Sequence, residues 1–186
     1  LSSNTVPNTN AALFSEVMDI TLDAANNRLL VLDRGTDAVF AVNLSTGART
    51  AISRTGVQGG NALNFPLSMA LDSANNRALV YEATENGVVG VDLATGTRSL
   101  VDTYQQLQGG DGDLNNDDVR SMFWRNNRIV LLDNQYDNVL SVDPVTHARE
   151  RLANNAFPAV KQRAVYASDS VMVNGVPYFS DPDRSQ

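Results

Sequence analysis

Short apolar runs recur along this chain in a fixed order, each closed by Asn, Asp, Gly or Thr. The stretch from Ser68 to Val101, SMALDSANNRALVYEATENGVVGVDLATGTRSLV, shows the unit. Runs this short, bounded by turn residues, predict strands and not helices. Strand a is Ser68–Asp72, b is Arg77–Glu82, c is Val88–Asp92 and d is Arg98–Val101. Strands b and c are apolar at nearly every residue, as in Leu29-Leu30-Val31-Leu32 and Val88-Val89-Gly90-Val91. A sheet with one wet face would alternate apolar and polar positions, so these strands are expected to be covered on both faces.

The pattern repeats. Moving back 49 residues from Asn76-Arg77 lands on Asn27-Arg28, and moving forward 51 lands on Asn127-Arg128. The same shifts carry Glu82 onto Asp33 and Asp133, Asp92 onto Asn43 and Asp143, and Arg98 onto Arg49 and Arg149. A weaker copy begins near Tyr166, with Tyr178-Phe179-Ser180-Asp181 in the place of strand b. A period near fifty residues in strand-rich sequence predicts propeller blades. Asn-Asn at the a–b turn supplies the positive φ that tight hairpins demand, and Gly47 and Gly96 do the same at the c–d turn. The expected architecture is an all-β propeller of four-stranded antiparallel blades, about three and a half of them.

The wording NNRLLVLD…AVFAVNLSTGART resembles the NHL and SMP-30/gluconolactonase-like group of propellers, which usually have six blades. The resemblance runs from about Asp19 to Asp181, and it implies fold more than activity. The WD dipeptide of WD40 blades and the paired glycines of kelch blades are absent. In gluconolactonase-like enzymes a divalent metal sits on the axis, held by a Glu, Asn side chains and an Asp. Glu16 is similar in position to the early Glu of that set. The family's Asn-containing and Ser-Asp-Gly-type motifs are not found here, so no catalytic residue is carried over.

The blades are expected at about 15–53, 64–101, 119–152 and 164–186, after a leader or preceding-blade tail at 1–14. An open arc of blades leaves an apolar face bare at each end. Two expectations follow: a fragment of a longer propeller, or a ring completed by self-association with a second copy. A closed four-bladed ring is the smaller alternative.

Composition narrows the partners. The 186 residues are 42% hydrophobic and 19% charged, which suits one globular core. Cysteine is absent, removing disulfides, thiol chemistry and Cys-based metal sites. Net charge is −7, with scattered arginines and Lys161 as the sole lysine, which argues against a nucleic-acid partner. No apolar run is long enough to span a bilayer as a helix. The Asn/Ser/Thr/Gly-rich, Lys-poor, Cys-free style suggests an extracytoplasmic protein, periplasmic or secreted.

Candidate chemistry is sparse. Asp111, Asp113, Asn115 and Asp117 place oxygen side chains at alternate positions, the start of an EF-hand-type calcium loop. Asn116 stands where Gly is needed and Met122 where the bidentate Glu should be, so a looser Ca²⁺ site or a solvated acidic turn remain. Asp33, Glu82, Asp133 and Asp181 end strand b on the face that carries the long d–a connections. They could face an axial ion or polar ligand, or accept backbone N–H groups of their own b–c turns. Recurrence in every copy favours the second role. Asp37, Glu85 and Asp137, in those turns, are expected to be solvated. His147 falls on Gly47 and Gly96 in the repeat, a positive-φ turn, which makes a Ser-His-Asp triad or a histidine metal site improbable. Arg28, Arg77 and Arg128, and Arg49, Arg98 and Arg149, recur as blade residues that bridge to carboxylates. Phe123 and Trp124 replace Asp72 and Ser73 at a corner, where packing is expected over a ligand platform. The favoured function is an exported binding or scaffold module presenting loops to a protein or small polar ligand. The alternative is a Ca²⁺-dependent lactonase-type hydrolase with an axial metal.

Overall fold

A computed structural model of the chain describes residues 13–103, 119–133, 138–153, 169–173 and 176–180. It divides into two units, Leu1–Val101 and Asp102–Gln186. No α-helix occurs among the described residues.

In the first unit, β1 (Val17–Asp23), β2 (Arg28–Asp33), β3 (Ala38–Asn43) and β4 (Arg49–Arg54) pair in sequence order into one sheet. Next come β5 (Pro66–Asp72), β6 (Arg77–Glu82), β7 (Gly87–Asp92) and β8 (Arg98–Thr103), in the same order. In the second unit, β9 (Val119–Arg125), β10 (Arg128–Asp133), β11 (Asn138–Val142) and β12 (Arg149–Ala153) form a third such sheet. The hairpin of β13 (Asp169–Val173) and β14 (Val176–Ser180) stands by itself as a two-stranded sheet. The pairings are antiparallel, so each sheet is a meander, the form expected of a propeller blade.

Turn chemistry explains why the strands end where they do. Asn27 and Asn76 adopt φ of 49°, and Gly47 and Gly96 adopt 72° and 73°. His147 takes the left-handed conformation at 61° in the equivalent c–d turn. One difference separates the copies. In the first two, the a–b link is a short 3-10 turn, Ala24–Asn26 or Ser73–Asn75, with only the second Asn left-handed. Asp23 and Asp72 hold it, through Asn26 and Asn75 respectively. In the third copy the link is a two-residue turn with Asn126 and Asn127 both at positive φ: Arg125 pairs with Arg128 where Asp72 pairs with Arg77, and Phe123, expected at the corner, pairs with Val130 inside β9.

Within the first unit the core lies between the first two sheets. Leu30, Leu32 and Val39 of the first meet Met69, Val80, Val89 and Val91 of the second, all nearly or fully inaccessible. The opposite face of the first sheet buries Val31, Ala38, Phe40 and Val42, with Phe14 packed over them. Strands b and c are thus covered on both faces. Strand a of the first sheet is not: Ile20 and Leu22 remain 58% and 56% exposed.

A polar latch supplements the apolar contact. The Asp19 carboxylate accepts from Ser68 Oγ at 2.9 Å and from Met69 N at 2.8 Å, and the Thr21 hydroxyl donates to Met69 O at 3.3 Å. These bonds tie β1 to β5.

Candidate functional site

The edge of the first unit that carries the b–c turns is built by the carboxylates ending strand b. Asp33 is fully buried. Its Oδ2 accepts from Ser15 N at 2.7 Å, and its Oδ1 from Glu16 N at 3.3 Å, Thr36 N at 3.0 Å and Thr36 Oγ1 at 3.1 Å. Glu82, also fully buried, accepts from Phe65 N, from Thr84 N at 3.4 Å and from Glu85 N at 3.0 Å. Backbone bonds run in parallel, from Arg34 N to Glu16 O at 2.8 Å and from Ala83 N to Phe65 O at 3.1 Å. In both copies one carboxylate ties its own b–c turn to the segment entering strand a. Gly35 allows the close approach, since a Cβ there would lie 2.5 Å from Ser15 Oγ.

Over this clamp lies a small exposed cluster. The Glu16 carboxylate engages the Arg34 guanidinium through both oxygens. The hydrogen bond from Arg34, aided by its charge, holds the Glu16 carboxyl below the usual range. Arg34 also lies over the Phe65 ring, 4.5 Å from its centroid, and Phe65 is 41% exposed. Asp37 is half-buried and not fully solvated. Burial, and then the charge of Asp33, push its carboxyl up.

These residues do not fit an axial metal of the gluconolactonase kind. The carboxylate of Glu16 faces a guanidinium, which a cation would have to displace, and both oxygens of Asp33 already accept N–H groups. No group of three or more His, Asp or Glu among the described residues could hold a metal ion. The candidate calcium run Asp111, Asp113, Asn115 and Asp117 lies outside the described residues, as does Asp181. Asp133 ends β10 opposite Asn138, and its side chain is likewise not described.

The edge carrying the c–d turns uses a different device, repeated three times. Oδ1 of Asn43, Asp92 or Asp143 accepts two successive backbone N–H groups, from Ser45 and Thr46, from Ala94 and Thr95, or from Val145 and Thr146. Those bonds hold the Asp92 and Asp143 carboxyls below their ordinary values, the backbone N–H of Thr95 and Thr146 contributing most. His147 sits in the last of these turns. Its Nδ1 lies 2.9 Å from Asp102 Oδ1, while Arg149 Nη2 reaches Asp102 Oδ2 at 3.5 Å. The single histidine is therefore held against Asp102, beside Arg149, in a structural role.

The recurrent arginines fall into two groups. Arg28 and Arg77 donate through Nε to Asp23 and Asp72 at 2.7 and 2.8 Å. Arg128, whose cross-strand partner is Arg125 where the other copies have Asp, turns instead to Ser141 Oγ, to the carbonyls of Ser141 and Ala148, each at 3.2 Å, and to Asp143 at 3.8 Å. Burial raises the Asp23 carboxyl, but the hydrogen bonds from Arg28 and Asn26 together outweigh it and the net shift is downward. A carboxyl depressed in the folded state stabilises above its unfolded value, about 3.9, and loses that contribution as pH falls through the folded value. Asp23→Asn should therefore lower the urea midpoint at pH 7, and the gap from the parent protein should close as pH drops below about 4.

In the second group Arg149 meets the expected carboxylate, Asp102, whereas Arg98 departs from that expectation and meets carbonyls and a hydroxyl. Arg98 is nearly buried and grips the d–a connection ahead of its own sheet. Nη1 donates to Ser53 Oγ at 2.7 Å and Arg54 O at 3.1 Å, Nη2 to Gln58 O at 2.8 Å, and Nε to Asn61 O. Ser53 Oγ in turn donates to Gly96 O at 2.7 Å. Asp102 stands 49 residues after Ser53, and its contacts with His147 and Arg149 repeat the pattern Ser53 makes with Gly96 and Arg98. Arg49 places its guanidinium 4.0 Å from the centroid of the Phe14 ring.

No protein-family model matches the chain, and no curated protein matches it. Solved structures do. A chain of the nidogen/laminin complex superposes with a TM-score of 0.58 at 17% identity, over 84% of this chain and 57% of that one. The extracellular domain of a one-component system from B. thetaiotaomicron gives 0.56 at 13% identity, over 89% of this chain and 22% of that one. A structural genomics protein of unknown function from Bacteroides thetaiotaomicron gives 0.51 at 13% identity, over 92% and 54%. The chain thus spans less than two thirds of each of these structures. With its three four-stranded meanders, the fold is that of a β-propeller.

Proposed function

We propose that this chain is an exported β-propeller scaffold, closer to the NHL kind than to the lactonase kind, whose b–c turns and d–a connections form a docking face for a protein. The observation that supports this reading is the repeated clamp. Asp33 and Glu82 are fully buried, and each fastens its b–c turn to the entry of strand a through backbone N–H groups. Carboxylates used in this way set loop positions and have little left to offer a substrate. The face they hold presents the Arg34–Phe65 stack and, on the connection after β4, Val57 at 70% exposed. Arginine and aromatic anchors of this type suit a protein partner. The similarity to a chain solved in a nidogen/laminin complex, and to an extracellular domain, is consistent with that role outside the cytoplasm.

The test combines two measurements on purified protein. Metal analysis and a lactone-hydrolysis screen, with and without chelator, are expected to show no tight divalent ion and no turnover. A tight ion with chelator-sensitive hydrolysis would establish the hydrolase instead. In parallel, Val57→Cys supplies a unique thiol, because the chain has no cysteine. A photo-crosslinker there should capture a discrete protein from the host's extracytoplasmic fraction, and Phe65→Ala should cut the yield at least fivefold.

A further inference from the structure

The first c–d turn departs from its two counterparts at positions that do not serve the turn. Oδ1 of Asn43 accepts from Ser45 N and Thr46 N, each at 2.9 Å, and from Thr46 Oγ1 at 3.1 Å. Three donors face that atom, so it is the oxygen, and the Nδ2 amide makes no hydrogen bond among the described residues. The repeat carries Asn43 onto Asp92 and Asp143, which hold their turns through one carboxylate oxygen in the same way. The turn therefore asks only for an acceptor, and a carboxylate accepts more strongly than an amide. Ser45 is the second departure, since Ala94 and Val145 stand in its place. Its hydroxyl makes one exposed contact, accepting from Asn27 Nδ2 at 2.8 Å.

Both departures fall in one triplet. Asn43-Leu44-Ser45 is the single Asn-x-Ser/Thr sequence in the chain, and its middle residue is not proline. The third copy, with Pro144 in the middle, would be barred from this chemistry even with Asn at its head. Residues 43–46 are exposed, and the turn's own bonds lie wholly within the first unit. We propose that Asn43 is the acceptor of an N-linked glycan, carried on the c–d edge of that unit. The proposal rests on the extracytoplasmic reading above, because this modification belongs to exported chains. In the transfer, Nδ2 bonds to the anomeric carbon of an oligosaccharide. The polyprenyl diphosphate that carried the sugar leaves, and one amide proton goes to a base; nothing is oxidised or reduced. Oδ1 keeps its lone pairs, so the substituted amide still accepts from Ser45 and Thr46 and the turn is unchanged. The glycan stands at the far end of β3 from the b–c turn that carries Arg34, and it leaves that edge open to a partner.

The intact 186-residue chain, secreted from a eukaryotic cell line behind the host's own leader, tests the site. Peptide-N-glycosidase should remove a sugar mass and convert Asn43 to aspartate, read by peptide mass mapping. Asn43→Asp and Ser45→Ala should each be secreted without the glycan. Their urea midpoints should match that of the enzymatically deglycosylated parent, because each installs the residue that the second copy carries at that place. A secreted, folded parent with a bare Asn43 overturns the proposal, and so does sugar that persists in Ser45→Ala. Failure of Asn43→Asp to fold would overturn it too, since Nδ2 would then be serving the turn. Protein recovered from the cells that make it separates this proposal from the reading beneath it. A bare Asn43 on protein from outside the cytoplasm counts against the glycan alone, whereas recovery from the cytoplasm counts against export.

Discussion

Arg98→Ala should be among the most damaging single changes in the first unit, lowering stability by about 3–5 kcal/mol. The guanidinium donates to three carbonyls and one hydroxyl, all belonging to Ser53–Asn61. Its own backbone N–H bonds Gly59 O at 3.0 Å. Truncation leaves four acceptors without their donor, and a hydrogen bond to a charged group contributes about 1.5–3 kcal/mol. The full sum is not reached, because the outer part of the connection is exposed and water can replace the donor at Gln58. Arg98→Lys should recover less than half of the loss, since an ammonium is a point charge and cannot span a planar fork of acceptors. Urea titration measures the cost. Hydrogen exchange locates it: amides of Arg54–Asn61 should lose protection before those of β6 and β7. Uniform loss across the unit would show that Arg98 acts on the core and not on the connection.

Much of this fold can be read from the sequence because the repeat states each local choice three times. The positive φ of Asn27, Asn76 and Asn127, and of Gly47, Gly96 and His147, follows from residue type at a fixed offset in a tight turn. His147 aligns with two glycines of the c–d turn, and it takes the left-handed conformation that this alignment predicts. The recurrent Arg28 and Arg77 were expected to bridge to a carboxylate, and Asp23 and Asp72 are those carboxylates. The partners of Arg98 were not legible, because Arg54–Asn61 is a connection with no periodic counterpart and its carbonyls carry no sequence signal. The Asp19 latch escaped for a similar reason. Asp19 aligns with Ser68, and it is the serine that donates to the aspartate, so the repeat pairs two unlike residues. Burial of strand a is the clearest limit. Ile20 and Met69 occupy one register and read alike, yet one is wet and the other dry. Periodicity records which face is apolar and not what lies against it.

Replacing Asp33 should cost about as much as replacing Arg98, and the amide should recover only a small part of what alanine loses. Both oxygens of Asp33 act only as acceptors: Oδ2 takes Ser15 N–H, and Oδ1 takes the N–H of Glu16 and of Thr36 together with the Thr36 hydroxyl. A carboxylate can accept at both oxygens, whereas an amide keeps one acceptor and turns two donors toward whatever faced the other. In Asp33→Asn the NH₂ must point at Ser15 N–H, the less crowded side, and two donors then meet in a fully buried site. We expect a loss of about 2–4 kcal/mol for Asp33→Asn and about 3–5 kcal/mol for Asp33→Ala. Thr36→Val removes only the hydroxyl and should cost about 1 kcal/mol. If Asp33→Asn instead matches the parent protein in thermal and urea midpoints, the carboxylate is not needed as a double acceptor and the clamp is not what holds the turn. The same substitution bears on binding. Ser15 and Glu16 lead into β1, and Glu16 positions Arg34 against Phe65. Freeing Ser15 from Asp33 should therefore weaken partner capture in a variant that stays folded at low temperature, with Asp33→Asn and Phe65→Ala less than additive because both act on the same stack.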